Sequence, residues 1–367
     1  MTPDDFLLPE RAKILVIVCR RLGDVLLATP LLRSLRKAWP EAEIDVLVFA
    51  GTSGMLDGNP DLDRIITMPE QPTFAQSFAL SRRLWRRYAL AVSTQTGDRP
   101  TFFAFAAGSL RIGPVDSRSG AWLRRLVLHR SVPARAEGEA IHRVEEVLLL
   151  ADALGITRAH DIVAPQAATP GLQPVGAGPY AVVHAAPMFR YKQWTLDGWR
   201  RLAASLKERG LAVVATGAPS DRRYLDDVWA GSEILRLDGK MSWPDIAGLL
   251  SGAQVYVGPD TSVTHLAAAA GCPTVALYGP TDPRRWGPWP AGGLDHPWVA
   301  ADRIQRRGNV WLVQNPLSCT PCQQEGCERH LDSYSQCLDE LSAHQVLAAV
   351  DQALAARKTS SPMASSA

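Results

Sequence analysis

The chain has 367 residues, of which 46% are apolar and 21% charged, and its formal net charge is +2. The length favours two domains, and the composition is that of a globular protein rather than a disordered or fibrous one. A balance this close to neutral gives no sign of a nucleic-acid partner, and we expect none. No apolar run reaches the ~18 residues of a membrane-spanning helix. The N-terminal stretch is acidic before it is apolar, unlike a signal peptide, so we expect a cytoplasmic protein.

The first half of the chain alternates predicted strands with predicted helices. Residues 13–19 form a continuous, largely β-branched run, which is typical of a strand buried on both faces. A loop at 20–24 leads into a helical stretch that ends near Trp39. Later strands are predicted at 44–50, 64–68, 89–94 and 111–113, and helices at 74–88 and 141–154. This alternation predicts a parallel α/β sheet.

Residues 157–179 break the alternation, because they hold four prolines and three glycines and little that could pack. We place a linker at 161–178, between an N-terminal domain at 1–160 and a C-terminal domain at 179–355. The second domain has predicted strands at 180–186, 211–217, 253–257 and 274–278, and predicted helices at 196–209, 243–251, 261–271 and 341–357. Residues 356–367, rich in Ser and Ala, are expected to form a disordered tail.

Asp24 is the first candidate functional residue, in the sequence Arg20-Arg21-Leu22-Gly23-Asp24 just past the first strand. Ligands of parallel sheets bind beyond the carboxyl ends of the strands. A carboxylate there could act as a general base that takes a proton from an attacking hydroxyl. The alternative is that Asp24 caps the N-terminus of the next helix. Gly23 favours a function, since glycine lets the backbone approach a ligand closely.

Lys192 is the second candidate, in the loop that follows the first strand of the second domain. A lysine there could hold a diphosphate as a point charge. The alternative is a solvated surface cation.

A strand–turn–helix–strand unit at 253–278 supplies the third candidate site. Asp260, Thr261 and Ser262 fall at the predicted helix start, where free N–H groups and the positive end of the helix dipole suit a phosphate. The alternative is an ordinary set of capping residues. His265 lies one turn further along the same face, and both a binding role and simple packing remain open for it.

These three loops resemble one family. Gly23 to Pro30 matches a Gly-Asp-x4-Thr-Pro pattern, Lys192 to Trp194 a Lys-x-Trp element, and Asp260 to Ala267 an Asp-Thr-[Gly/Ser]-x-x-His-Leu-Ala element. Together they resemble the ADP-heptose–lipopolysaccharide heptosyltransferases, in order and spacing, from residue 13 to about 355. The chain departs from the family at Ser262, where glycine is common.

The resemblance implies a GT-B fold, in which two Rossmann-like domains with parallel sheets face an interdomain cleft. It implies an inverting transfer of heptose from ADP-L-glycero-D-manno-heptose to an inner-core sugar of lipopolysaccharide. By the same resemblance Asp24 is the catalytic base, Lys192 binds the donor phosphates, and Asp260, Thr261 and Ser262 hold the donor. We expect no catalytic metal, because no Asp-x-Asp triplet lies at a suitable place and a lysine with a helix N-terminus can stabilise the leaving diphosphate.

Arginine is concentrated in one part of the first half. Residues 82–143 contain twelve arginines against four acids, with Trp and Leu interleaved. Arginine forks bind phosphate and carboxylate, and such a mixture suits lipid head groups. We therefore expect a lipid A–Kdo type acceptor, contacts from Arg20, Arg21, Arg124 and Arg125, and a peripheral location on the inner face of the inner membrane. The alternative is a solvated helix face.

Four of the six cysteines form a cluster, Cys319-x2-Cys322-x4-Cys327-x9-Cys337. This spacing is typical of a tetrahedral thiolate site, for which zinc is the first expectation and iron the second. The alternatives are a redox-labile thiol cluster and no functional role. Cys19 and Cys272 lie in or beside strands and are expected in the core.

Other functions stay open at this point. The same fold could serve a protein O-heptosyltransferase or a transferase for another nucleotide sugar. A nucleotide-sugar-binding protein without activity is a third reading, and the joint presence of Asp24 and Lys192 argues against it. A dehydrogenase is disfavoured, because no Gly-x-Gly-x-x-Gly turn follows the first strand.

Overall fold

The computed structural model describes residues 8–116, 121–134, 140–166 and 178–360. The chain divides into two compact units, Met1–Pro165 and Gln166–Ala367. Most of the predicted linker at 161–178 lies outside the described residues. Its first part does not: Val163 is buried and donates its N–H to Thr29 Oγ1 of the first unit at 2.9 Å.

The first unit is built on a six-stranded sheet in which every pairing is parallel. The strands are β1 Lys13–Val18, β2 Glu43–Phe49, β3 Arg64–Met68, β4 Tyr88–Ser93, β5 Gly108–Val115 and β6 Arg130–Pro133. They lie in the order β3-β2-β1-β4-β5-β6, which is that of a Rossmann fold. The predicted parallel α/β sheet is therefore confirmed for this unit, and the continuous apolar run of β1 is explained by its central position.

Helices cover both faces of this sheet. They are α1 Leu22–Leu27, α2 Thr29–Ala38, α3 Phe74–Leu84, α4 Asp98–Ala107, α5 Ala121–Val127 and α6 Arg143–Leu154. Helices α3 and α4 pack on one face, where Leu84 and Phe103 meet Leu15 and Ile17 of β1. Helix α4 packs against both α3 and α5, while α2 and α6 pack against each other. Helix α3 ends at Leu84. The predicted end, residue 88, is already the first residue of β4.

The second unit repeats the same strand order. Its strands are β7 Tyr180–His184, β8 Ala212–Thr216, β9 Leu235–Arg236, β10 Val255–Pro259, β11 Thr274–Tyr278, β12 Ile304–Arg307 and β13 Val310–Gln314. The sheet order is β12-β13-β11-β10-β7-β8-β9, and only the edge strand β12 is antiparallel among the described strands. Strands β12 and β13 were not predicted from the sequence.

The helices of this unit bury a tryptophan-rich core. They are α7 Leu196–Glu208, α8 Arg222–Val228, α9 Trp243–Gly252, α10 Ser262–Ala269, α11 Pro283–Trp286, α12 Gln336–Asp339 and α13 Ala343–Ser360. Trp199 lies edge-on between Trp194 and Trp229, at centroid distances of 5.2 and 6.2 Å. Because α13 continues to Ser360, the prediction that a disordered tail begins at 356 is wrong for its first residues. Residues 361–367 lie outside the described part.

Both sheets reverse their strand order beside their first strand. In the first unit the reversal falls between β1 and β4, and in the second between β7 and β10. Loops that leave neighbouring strands in opposite directions at such a point open a crevice, which is where ligands of open α/β sheets bind. Asp24 follows β1, Lys192 follows β7 and Asp260 follows β10, so each of the three candidates lies at a reversal of its own sheet.

Candidate functional site

Asp24 is buried and held by two arginines. Its side chain is 7% exposed, and both Arg20 Nε at 3.0 Å and Arg143 Nε at 3.3 Å approach the same oxygen, Oδ1. Neither contact has hydrogen-bond geometry, and Oδ1 and Arg143 Nε have no hydrogen-bond partner among the described residues. The capping alternative is wrong, because Arg21 occupies the N-cap of α1 and Asp24 is the third residue inside the helix. Two guanidinium groups therefore hold the buried carboxylate by charge.

Arg143 was missed by the sequence reasoning. It is the first residue of α6, and its side chain is 8% exposed. It also donates to the carbonyl of Thr94, past the end of β4, at 3.0 Å and to Glu146 Oε2 at 2.9 Å. One signal could have indicated it: a cation in the first turn of a helix sits at the unfavourable end of the dipole, which implies a partner elsewhere. Arg143 ties the loop after β1 to the end of β4.

Lys192 and Asp260 form the centre of the second unit's site. Lys192 Nζ lies 2.5 Å from Asp260 Oδ2, which also accepts a 2.7 Å hydrogen bond from Thr281 Oγ1. Tyr278 donates its hydroxyl to Asp260 Oδ1 at 3.3 Å. Burial alone would raise the pKa of Asp260, but the charges of Lys192 and His265 and the hydrogen bonds to the carboxylate outweigh burial and hold that pKa below its ordinary value. The partly exposed Lys192 cation thus lies beside the Asp260 carboxylate, which stays ionised.

Helix α10 begins immediately after Asp260. Thr261 is its N-cap and accepts from the N–H of Thr264, so one hydroxyl is used for capping, while Ser262 is the first helical residue and is partly exposed. The end of strand β10 requires glycine at 258, because a Cβ there would lie 2.0 Å from the hydroxyl oxygen of Tyr256. That hydroxyl is hydrogen-bonded to Thr264 Oγ1 at 2.9 Å. These contacts fix the helix start beside Asp260 and Lys192.

His265 belongs to this site by position. It is 5% exposed on α10, and its charge is one of the influences that lower the pKa of Asp260. The side chain therefore lies near the Asp260 carboxylate, on the buried side of the helix. Its role as a donor contact stays a prediction.

Arg124 does not have the exposed position that acceptor binding would need. Its guanidinium is 8% exposed and pairs with Asp98 Oδ1 at 3.0 Å and Asp116 Oδ1 at 2.8 Å. The prediction of an acceptor contact at Arg124 is therefore corrected: the side chain ties α5 to α4 and to the end of β5. Arg125, the next residue, is exposed, as are Arg20 and Arg21.

The cysteine-rich segment lies against the Lys192 loop. Ser335 donates its hydroxyl to the carbonyl of Tyr191 at 2.6 Å, and Arg190 donates to the carbonyl of Asp332 at 2.9 Å. A few residues on, Trp194 donates its indole N–H to the carbonyl of Leu341 at 2.8 Å. The loop that carries Lys192 is thus braced on both sides by the segment between Cys319 and α13.

All six cysteines are free, and Cys19 and Cys272 are buried in the core as predicted. Burial, together with the nearby Cys322, Cys327 and Cys319, raises the pKa of the Cys337 thiol to about 12, so these four side chains lie near one another. Within the described residues, however, no group of three or more His, Cys, Asp or Glu side chains is already arranged to hold a metal ion. The four thiols therefore lie near one another but are not arranged as a metal site.

Two further observations bear on ligands. A cavity of about 240 Å³ lies beside β3 and α3, but none of the candidate residues lines it, and we assign it no part in the chemistry. Among the described residues no helix is long and apolar enough to span a membrane.

Two Rossmann-like units, each with polar side chains at the reversal of a parallel sheet, are the components of the GT-B fold. Residues 78–293 match the model of glycosyltransferase family 9 (heptosyltransferase), which is more than half of the chain. The chain belongs to this family. The matched range includes Lys192 and the Asp260–His265 element, whereas Asp24 lies outside it.

Known proteins agree with this assignment. The chain is 27% identical over 285 residues to lipopolysaccharide heptosyltransferase 3 of Escherichia coli, covering 73% of this chain and 83% of that protein. The structure of the E. coli ADP-heptose lipopolysaccharide heptosyltransferase II is similar with a TM-score of 0.73, at 21% identity, covering 94% and 99% of the two chains. An E. coli heptosyltransferase solved with ADP has a TM-score of 0.70 at 22% identity, covering 93% and 99%. These structural likenesses confirm the predicted fold.

Proposed function

We propose that this glycosyltransferase moves heptose from ADP-L-glycero-D-manno-heptose to an inner-core acceptor of lipopolysaccharide, with inversion at the transferred carbon. The family and the names of its relatives support the sugar and the acceptor class. The observation that carries the proposal is the Lys192–Asp260 pair at the start of α10, because it offers a cation, free N–H groups and a carboxylate in one place.

The donor chemistry follows from these charges. The diphosphate of the donor gains negative charge as the bond to the sugar breaks. Lys192 and the N–H groups at the start of α10 would stabilise that charge, and Ser262 adds a hydroxyl that no capping contact uses. Asp260, ionised at neutral pH, would accept hydrogen bonds from sugar hydroxyls or keep Lys192 in place. With this set of groups we propose that transfer needs no catalytic metal.

Asp24 would act on the acceptor. A sugar hydroxyl is a poor nucleophile until a carboxylate takes its proton. The Asp24 carboxylate is suited to this role, because the charges of Arg20 and Arg143 hold it in place. Inversion requires the base and the leaving group on opposite sides of the transferred carbon. We propose that Asp24 supplies the base and the Lys192 loop receives the leaving diphosphate.

The acceptor we propose is a lipid A–Kdo type glycolipid, presented on the cytoplasmic face of the inner membrane. Arg20, Arg21 and Arg125 are exposed and could contact its phosphates or carboxylates. A protein hydroxyl as acceptor remains the alternative enzyme function. The two are separated by supplying a truncated core glycolipid and a Ser/Thr-containing polypeptide in parallel reactions.

The test is a donor-release assay with ADP-heptose and truncated core acceptors, comparing the wild type with Asp24→Asn and Lys192→Met. Asp24→Asn should lower kcat by roughly 10²–10⁴-fold while donor binding, measured by calorimetry with ADP, stays unchanged. Lys192→Met should weaken ADP binding instead. Comparable turnover in Asp24→Asn would disprove the assigned base, and unchanged ADP affinity in Lys192→Met would disprove the donor site.

We also propose a structural metal, zinc or iron, at the four clustered cysteines. The spacing and the proximity of the thiols support it, although their side chains would have to turn toward a common centre. Elemental analysis of the purified protein tests it. One metal per chain, lost in Cys322→Ser but not in Cys272→Ser, is the expected result. Absence of stoichiometric metal would remove the proposal and favour a redox-labile thiol cluster.

A further inference from the structure

Three neighbouring helices of the first unit expose an unusual number of large apolar side chains. Phe74 is 87% exposed, Trp122 63% and Leu126 74%. Others on the same helices, or just past their ends, are also exposed: Phe78, Trp85, Phe102, Phe105 and Leu123. Because α4 packs against both α3 and α5, these side chains share one side of the unit, which we call the α3–α5 face. A large exposed apolar patch marks a site of interaction.

The same face is strongly cationic. Helices α3, α4 and α5, with the turn 85–87, contain seven arginines against one acid, Asp98. Asp98 and Asp116, which follows β5, both pair with the buried Arg124, so this trio keeps one net negative charge and the other six arginines of the face outnumber it. Arg82, Arg83 and Arg87 are exposed, and no carboxylate of the described residues lies within ion-pair distance of them. The face therefore presents positive charge that no carboxylate in the described part of the chain balances.

Aromatic and cationic groups are interleaved rather than segregated. Arg86 stacks 5.8 Å from the ring of Trp85 and 5.7 Å from the ring of Phe105, and Arg111 lies 5.5 Å from the latter. Phe74 and Phe78 stack on each other at 6.4 Å. Interfacial helices use this combination of side chains. Their aromatic rings enter the boundary of the acyl chains, and their guanidinium groups contact the lipid phosphates.

A second copy of the chain fits this face poorly. A two-fold symmetric interface would place the same patch on both sides, so unpaired arginines would meet unpaired arginines. The surface of an anionic bilayer offers negative charge for the arginines of the face and an apolar layer for its exposed rings. We infer that the α3–α5 face docks the enzyme onto a bilayer surface rich in anionic phospholipid. The inference deepens the proposed function, on whose membrane location it rests, by naming the surface and the lipid charge.

The experiment uses the full chain and sedimentation with phosphatidylcholine vesicles, with and without phosphatidylglycerol, at low and high salt. The wild type should bind the anionic vesicles, and salt should weaken the binding. Arg82→Gln/Arg83→Gln should weaken it roughly 20-fold or more, at about five-fold per arginine. Phe74→Ser/Trp122→Ser should weaken it too, including at high salt.

Matched controls lie on the second unit. Arg222 and Arg223 are another exposed arginine pair, and Val299 is another exposed apolar residue. Arg222→Gln/Arg223→Gln and Val299→Ser should leave vesicle binding unchanged. Turnover of a short, soluble acceptor should stay unchanged in the face variants, which separates a failure of this inference from a failure of the proposed function.

Several outcomes would overturn the inference. Equal binding to vesicles without phosphatidylglycerol would remove the role of lipid charge. No vesicle binding by the wild type would remove the docking surface altogether. Concentration-dependent dimerisation that Phe74→Ser/Trp122→Ser abolishes, without vesicle binding, would show that the face joins two copies of the chain.

Discussion

Replacing Arg143 with methionine should impair Asp24, the proposed base, and leave donor binding unchanged. The substitution removes the charge that lies 3.3 Å from Asp24 and the hydrogen bonds to Thr94 and Glu146, while Arg20 remains as a second partner. Because the pair is buried, breaking it should cost about 3 kcal/mol of unfolding free energy, the low end for buried ion pairs. The loosened carboxylate should lower kcat by roughly 10²-fold, with the KM for the donor unchanged. Unfolding by urea and ADP-release kinetics measure the two effects.

Arg36 supplies the matched control. It is another anchored arginine of the first unit, with hydrogen bonds to the carbonyls of Pro40 and Ala42 and to Asp63 Oδ2 at 2.6 Å. Arg36→Met should lose stability while keeping kcat. Arg143→Lys, which keeps the charge, should recover part of the activity and guards against a variant that does not fold. Equal loss of kcat in Arg143→Met and Arg36→Met, or full kcat in Arg143→Met, would refute a positioning role.

Three further outcomes are expected. In Lys192→Met, the unfolding free energy should fall below that of the wild type at about pH 7, and the difference should shrink by about pH 3. The reason is that the folded-state pKa of Asp260 is lowered, so its contribution is present above the ordinary Asp range and lost as pH falls through the lowered value; a pH-independent difference would contradict this. Gly258→Ala should cost about 1–3 kcal/mol, because its Cβ would meet the Tyr256 hydroxyl, and Gly258→Ala with Tyr256→Phe should recover part of the loss in thermal unfolding. Arg124→Met should destabilise the first unit, whereas Arg125→Met should not, and equal melting temperatures would contradict the buried double ion pair.

Local sequence patterns were enough to predict the central strands and the three loops that follow them. The apolar runs of β1, β7 and β10 mark the central strands, and Asp24, Lys192 and Asp260 follow them directly, so their place at the sheet edge was predictable. Arg143 was not, because it is distant in sequence from Asp24 and only the packing of α6 brings the two together.

Arg124 and Arg125 show a second limit. They are neighbours in an arginine-rich helix, and composition treats them alike, yet one is buried in a double ion pair and the other is exposed. Helix α4 escaped prediction because Pro100, which a first helical turn tolerates, looks like a helix breaker in the sequence, and because its aromatic residues face both the core and solvent.

The bracing of the Lys192 loop has a consequence for control of the enzyme. Tyr191 is tied to Ser335 and Arg190 to Asp332, and both anchoring residues lie between Cys327 and Cys337. Whatever orders that stretch of chain also sets the position of the Lys192 ammonium group. If Lys192 binds the donor diphosphate as we propose, oxidation of these thiols, or a chelator that removes the proposed metal, should weaken donor binding from a distance. We therefore expect donor affinity to change with the chemical state of the four cysteines.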